Sequence, residues 1–260
     1  MPATLVGIIV ALACVMLGAI THGVSPVFLV SNITAILIVM GGALGATMAS
    51  YEISATSGVF KAIRKALLPP TVPDGAVNIG ILVEFARKAR HDGLLSLESG
   101  ITQIDDVFMR RGLQLAIDGS DPDAVAKVLR TDIKAMKVRH KVAIDWCQSY
   151  GIFAPTFGII GAVIGLIATL ADLAHPEKLG AGIAAAFVAT FLGVFMANGV
   201  MLPLSNRLKR MSAQEVQGRE LVLEGVLAVQ GGQNPRVIEE MLISYLSPKQ
   251  AALIREAASG

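Results

Sequence analysis

Charge is missing from three long stretches of this 260-residue chain, and that absence sets its class. Residues 1–51, 146–171 and 179–206 contain no Lys, Arg, Asp or Glu, and each is longer than the ~20 residues a helix needs to cross a bilayer. Cysteine is scarce too. Cys14 and Cys147 lie far apart, in or beside apolar segments, which leaves no disulfide framework and makes both small apolar fillers. The four histidines, His22, His91, His140 and His175, show no H-x-x-x-H or cysteine-adjacent spacing, so no metal site is expected. No segment is rich in β-formers. Basic and acidic side chains nearly balance, 22 against 20, which gives no footprint for nucleic acid.

What is present is apolar surface. Hydrophobic residues make up 53% of the chain, above the ~45–50% of an average soluble domain. MPATLVGIIVALACVMLGAI lacks the basic n-region of a signal peptide and is long enough to span, so it predicts a first crossing. THGVSP, with Gly23 and Pro26, supplies a turn, and VFLVSNITAILIVMGGALGATMAS a second crossing, with Gly41-x-x-x-Gly45 as its packing face. Asn32, near its start, is read as interfacial, with a hydrogen bond to another helix as the alternative. In the third crossing, residues 146–174, Pro155, Ala162 and Thr169 repeat every seven residues on one stripe, and Gly161 and Gly165 form a small-xxx-small pair. The fourth, LGAGIAAAFVATFLGVFMANGVMLPLSN, ends near Pro203.

Between Tyr51 and Asp145 the composition turns to mixed charge, with 14 of the 22 basic residues. Positive residues near helix ends stay inside the cell, so this insert and both termini are predicted to be cytoplasmic. PPTVP at 69–73 reads as a rigid break. A helix is predicted from Gly75 to His91, closed by Asp92-Gly93 as a left-handed cap, and helical spacing over Ile104–Ile117 predicts another. Asp121-Pro122 opens a helix that runs without a breaker into the third crossing. After the fourth crossing an amphipathic stretch runs to Val229, Asn234-Pro235 opens the next helix, and Ser247-x-x-Gln250 is a capping box. The expected fold is an all-α membrane protein. It has transmembrane helices 1 and 2 in 1–50, a cytoplasmic helical domain in 51–145, transmembrane helices 3 and 4 in 146–206, and cytoplasmic C-terminal helices in 207–260.

No acid or base lies within the four crossings. An ion pathway needs an ionisable group in the membrane, so any conducting carboxylate must come from a partner. Thr190 is either bonded back to its own helix carbonyls or a polar group on a pore wall. Pro155 and Pro203 either begin and end helices or act as hinges. Arg90 and Glu98 are either solvated surface charges or a grip for a charged partner. No nucleophile–base pair supports an enzyme.

ARKARHDGLLSLES, RRGLQLAIDGSDPD, APTFGIIGAVIGLIATL, AFVATFLGVFMANGVMLPLSNRLK and VQGGQNPRVIEEML occur in that order around the four crossings. Together they resemble the MotA/PomA family of bacterial flagellar stator proteins. The resemblance implies a ring of several copies, five in the family's picture, in the bacterial cytoplasmic (inner) membrane. The ring surrounds single-span MotB-type partners that carry the essential aspartate. It also implies that Arg90 and Glu98 engage the rotor protein FliG, that Pro155 and Pro203 couple ion passage to movement, and that Thr190 lines the pore. One departure bears on the ion. Sodium-type members carry Thr in a GTxIGL-like motif where this chain has Gly161-Ala162-Val163-Ile164-Gly165-Leu166. Ala162 removes an oxygen ligand that a hard cation favours, so the expected translocated ion is H+, with no cofactor; a sodium-driven PomA-type stator is the alternative. An ExbB/TolQ-type energiser fits less well, because such proteins have three crossings and lack GLLSLES.

Overall fold

The computed structural model describes residues 3–68 and 75–259. Every regular element among them is helical. The chain forms two compact units, Met1–Pro70 with His140–Met211, and Thr71–Arg139 with Ser212–Gly260.

The first unit carries the apolar helices. Helix α1 (Ala3–Thr21) is apolar throughout and buries none of its residues within the chain. The second apolar segment is not one helix. Helix α2 (Pro26–Val30) stops at Ser31, and α3 (Ile33–Ile36) restarts after it, followed by a π-helical segment (Leu37–Gly41) and α4 (Gly42–Ala49). The break has a local cause: the Asn32 side chain accepts from the Ala35 N–H at 3.0 Å, capping a new helix instead of continuing the old one. Its amide also donates to Ala185 O at 3.4 Å. Asn32 is thus bonded to another helix, which corrects the interfacial reading.

The remaining long helices are continuous. Helix α9 (Pro122–Ala171) has 50 residues with Pro155 inside it, a length of about 75 Å at 1.5 Å per residue. A 3₁₀ turn (Pro176–Lys178) then leads into α10 (Leu179–Phe195), a second π segment (Met196–Met201) and α11 (Leu202–Gln230). Pro203 therefore does not end the fourth apolar helix. The reason lies just before it: within the π segment hydrogen bonds reach back five residues, and the Leu202 N–H bonds Ala197 O. The register has shifted by the point where proline, without an N–H, would break an α-helical ladder. By length and composition three helical stretches among the described residues can cross a membrane, Ala3–Thr21, Pro122–Ala171 and Pro176–Gln230, and Ile33–Ala49 is a shorter apolar run.

Helix α5 (Ile53–Leu67) packs Val59 and Ala66 with Ala43, Trp146, Cys147, Tyr150 and Leu208 in one cluster. Trp146 stacks on Tyr150 (5.8 Å between ring centres) and meets the edge of Phe60 (6.1 Å). The Tyr150 hydroxyl donates to Met40 O in the first π segment, at 3.3 Å.

The second unit is built as a water-soluble helical domain is built. Helices α6 (Gly75–Asp92), α8 (Val107–Ile117) and α12 (Pro235–Ile243), with parts of α9 and α11, enclose Leu82, Met109, Leu113, Leu129, Leu221, Ile238 and Leu242. The predicted caps at Asp121, Asn234 and Ser247/Gln250 all form; Ser247 and Gln250 bond reciprocally ahead of α13 (Pro248–Ser259). One boundary moves. Helix α8 starts at Val107 and not at Ile104, because Asp106 caps Phe108 and Met109 while the Arg110 guanidinium holds Ile104 O at 2.7 Å. The PPTVP break lies outside the described residues.

Candidate functional site

In the first unit, α9 and α10 touch backbone to backbone. Gly151, Ala154, Gly158 and Gly161 form the buried stripe of α9. A Cβ on Gly193 would sit 2.5 Å from Ala154 O and 3.1 Å from the Cα atoms of Gly158 and Pro155. One on Gly158 would sit 3.0 Å from Ala189 O and 3.2 Å from Thr190 Cα. Gly161 and Gly165 meet Ala189 and Ala186 in the same seam. Without a hydrophobic drive between helices in lipid, this close approach supplies the packing energy. The Gly41-x-x-x-Gly45 face is different. A Cβ at either position meets nothing within the chain, and the close contact of that helix is Gly42 against the Phe157 ring.

In this crossing Pro155 packs at Gly193 and Thr190 at Gly158, and Pro155 and Thr190 are both half-buried. Thr47, Thr131 and Thr169 bond back to carbonyls four residues earlier. Thr190 has no such bond among the described residues, so its hydroxyl keeps its hydrogen-bonding capacity, contrary to the bonded-back alternative. Ala162 lies two turns further along α9, half-buried beside Gly161. Pro155 lacks the N–H that an α-helix would aim at Gly151 O, and Gly151 packs against Leu202, the neighbour of Pro203 (missing Cβ to Leu202 Cγ, 3.2 Å). The two prolines are thus linked through one contact. The glycines of FGIIGAVIGL, Gly158 among them, read from sequence as helix-packing residues, and they pack as such; sequence reasoning missed Gly151, whose signal was the 3-4-3 spacing of small residues from Gly151 to Gly161, and Gly193 across the seam. It also missed a charged cluster in the α9–α10 connection, where Asp172 binds His175 (2.6 Å) and approaches Lys178 (3.7 Å).

In the second unit, Arg90 and Glu98 are both exposed, on either side of a fixed turn. Gly93 has φ 81° and ψ 164°. That is extended backbone open to glycine alone, not the left-handed helical cap expected of Asp92-Gly93. A 3₁₀ turn (Leu94–Leu97) and α7 (Glu98–Ile101) follow, anchored by buried Leu97 and Ile101 and by Phe85 over Gly100. Beside Arg90, a hydrogen bond from the His91 Nδ1–H to the Asp92 carboxylate (2.5 Å) and then that carboxylate's charge raise the His91 pKa above the ordinary value.

Residues 101–221 match the MotA/TolQ/ExbB proton channel family. The chain is 39% identical to motility protein A of Bacillus subtilis, over 95% of this chain and 91% of that one. It superposes on the flagellar MotAB stator complex of the same organism with a TM-score of 0.90 at 38% identity, covering 96% of this chain and 98% of that one. The MotAB structure of C. jejuni gives the same TM-score at 29% identity, over 95% and 96% of the two chains. With that identity over nearly its whole length, the chain belongs to the motility protein A (MotA) family.

Proposed function

We propose that this chain is an ion-conducting stator subunit of a bacterial flagellar motor, which turns proton flow into torque on the rotor protein FliG. Copies of it, five as the resemblance implies, form a ring in the cytoplasmic membrane around single-span MotB-type partners, with both termini inside the cell. The observation that carries this reading is the α9–α10 crossing. It sits in the segments 146–171 and 179–206, which are free of Lys, Arg, Asp and Glu, it is too tight for a Cβ at Gly193, and it packs Pro155 at Gly193 and Thr190 at Gly158.

The partner supplies the carboxylate that these helices lack. The unbonded Thr190 hydroxyl is able to hydrogen-bond that carboxyl or a water, whereas Ala162 offers no oxygen to a hard cation. Loss of charge on the partner's aspartate changes what the crossing must solvate. Pro155 and Pro203, each without an N–H for the helical ladder and linked through the Gly151–Leu202 contact, serve as the hinges of α9 and the α10–α11 helix. Arg90 and Glu98 grip the rotor.

The test is swimming speed in a stator-deleted bacterium that carries this gene and its cognate partner, with sodium varied at fixed pH and a protonophore then added. Speed that ignores sodium and collapses with the protonophore is the expected result. Sodium-dependent speed would keep the motor and overturn the ion. An assembled complex that gives no swimming would overturn the motor reading.

A further inference from the structure

We infer that Leu95 is an apolar anchor that docks into a depression on the rotor protein between the sites taken by Arg90 and Glu98. The inference rests on the rotor reading of those two charges and adds the contact they surround.

Three leucines follow Gly93 within four residues, and the fold treats them differently. Leu97 is buried at 1% exposure and Leu94 is half-buried, whereas Leu95 is 73% exposed. Single exposed leucines are ordinary on protein surfaces; this one is held out on a fixed backbone. The Gly93 N–H bonds Ala89 O at 2.9 Å, the Ser96 hydroxyl bonds Gly93 O at 2.7 Å, and the Glu98 N–H bonds Leu95 O. Gly93 itself occupies backbone space that other residues avoid. The turn is ordered before any partner arrives, so docking Leu95 orders little more than one side chain.

The surroundings specify the partner. The last two turns of α6 carry Arg87, Lys88, Arg90 and His91 against one acid, Asp92, which pairs with His91, and the acid Glu98 follows Leu95 at the start of α7. The matching surface is an apolar depression with acidic side chains toward α6 and a basic one toward Glu98. In such an arrangement rim charges set encounter and register, while the desolvated centre carries most of the affinity.

The test compares Leu95→Asp, Leu95→Gln, Leu95→Met, Arg90→Glu and a control, Val237→Asp, in the full complex. Val237 is an exposed valine of the same unit. The readouts are stall torque and the number of fluorescently tagged stators engaged per motor, with membrane level checked by immunoblot. Expected are a loss of about tenfold in engaged stators for Leu95→Asp and Leu95→Gln, about 1.4 kcal/mol, wild-type behaviour for Val237→Asp, and no more than about a twofold loss for Leu95→Met. Wild-type torque with Leu95→Gln at normal membrane level, while Arg90→Glu loses torque, would overturn the anchor and leave the rotor face standing. Wild-type torque in Arg90→Glu as well would overturn the rotor face and the anchor with it. A Leu95→Asp defect confined to membrane level, with Leu95→Gln unaffected, also counts against the anchor.

Discussion

Two glycines at the same distance from an obstacle separate the two units. A Cβ on Gly193 would lie 2.5 Å from Ala154 O, and one on Gly225 would lie 2.5 Å from Leu82 Cδ1. In the first unit the obstacle is backbone, which has nowhere to go. In the second it is the tip of a leucine in a core of leucines, isoleucines and methionine, where a side chain can rotate. The difference follows from the solvent each unit is built for. Water rewards large buried side chains, at ~25 cal/mol per Å² of apolar surface removed. Lipid gives no such reward, so helices meet through small residues and close contact.

The strongest way to break this comparison is Gly193→Ala. It forces α9 and α10 apart at Pro155 and Thr190, and swimming should stop while the protein still reaches the membrane, as immunoblotting of membrane fractions would show; normal swimming would mean the seam is loose. Gly225→Ala, a clash of equal nominal distance, should cost only about 1–2 kcal/mol, as core overpacking does, measured as a modest drop in the melting temperature of the purified complex with motility kept. A smaller change of opposite sign is expected at Gly80, where a Cβ meets nothing. Gly80→Ala in the middle of α6 should stabilise by about 0.4–1 kcal/mol, read as slower hydrogen exchange across that helix. The smallest effect concerns His91. Asp92 favours its protonated ring, so the pair's contribution is complete below about pH 6.5 and is lost as pH rises through the raised folded value. Asp92→Asn should move the His91 titration, followed by NMR, back down toward the ordinary range.

Much of this was legible in the sequence, because the governing interactions are local. The caps at Asp121, Asn234 and Ser247/Gln250 involve groups two or three residues apart, and the stretch without a breaker from Pro122 into the third crossing is enough to predict that α9 is continuous there. The misses share a physical cause. Each π segment inserts a residue into a turn and rotates everything after it. The second helical apolar run thus presents Gly42 instead of Gly41 and Gly45, and α11 passes through Pro203. Nothing in the composition announces such a segment. Asn32 breaks a helix through a side-chain bond that a hydropathy profile does not see. At the Gly93 turn, Arg90 and Glu98 could be singled out by motif, but Leu94, Leu95 and Leu97 are the same residue type, and the backbone of the turn decides which points outward.

Protons are expected to pass beside Thr190, with the carboxylate supplied by another chain. This path is tested most directly by proton uptake into liposomes holding this chain alone, or this chain with its single-span partner, under an imposed potential and with or without sodium. The account predicts uptake only when both chains are present, unchanged by sodium and lost when the partner's aspartate is neutralised. Uptake by this chain alone, or uptake that requires sodium, would contradict it.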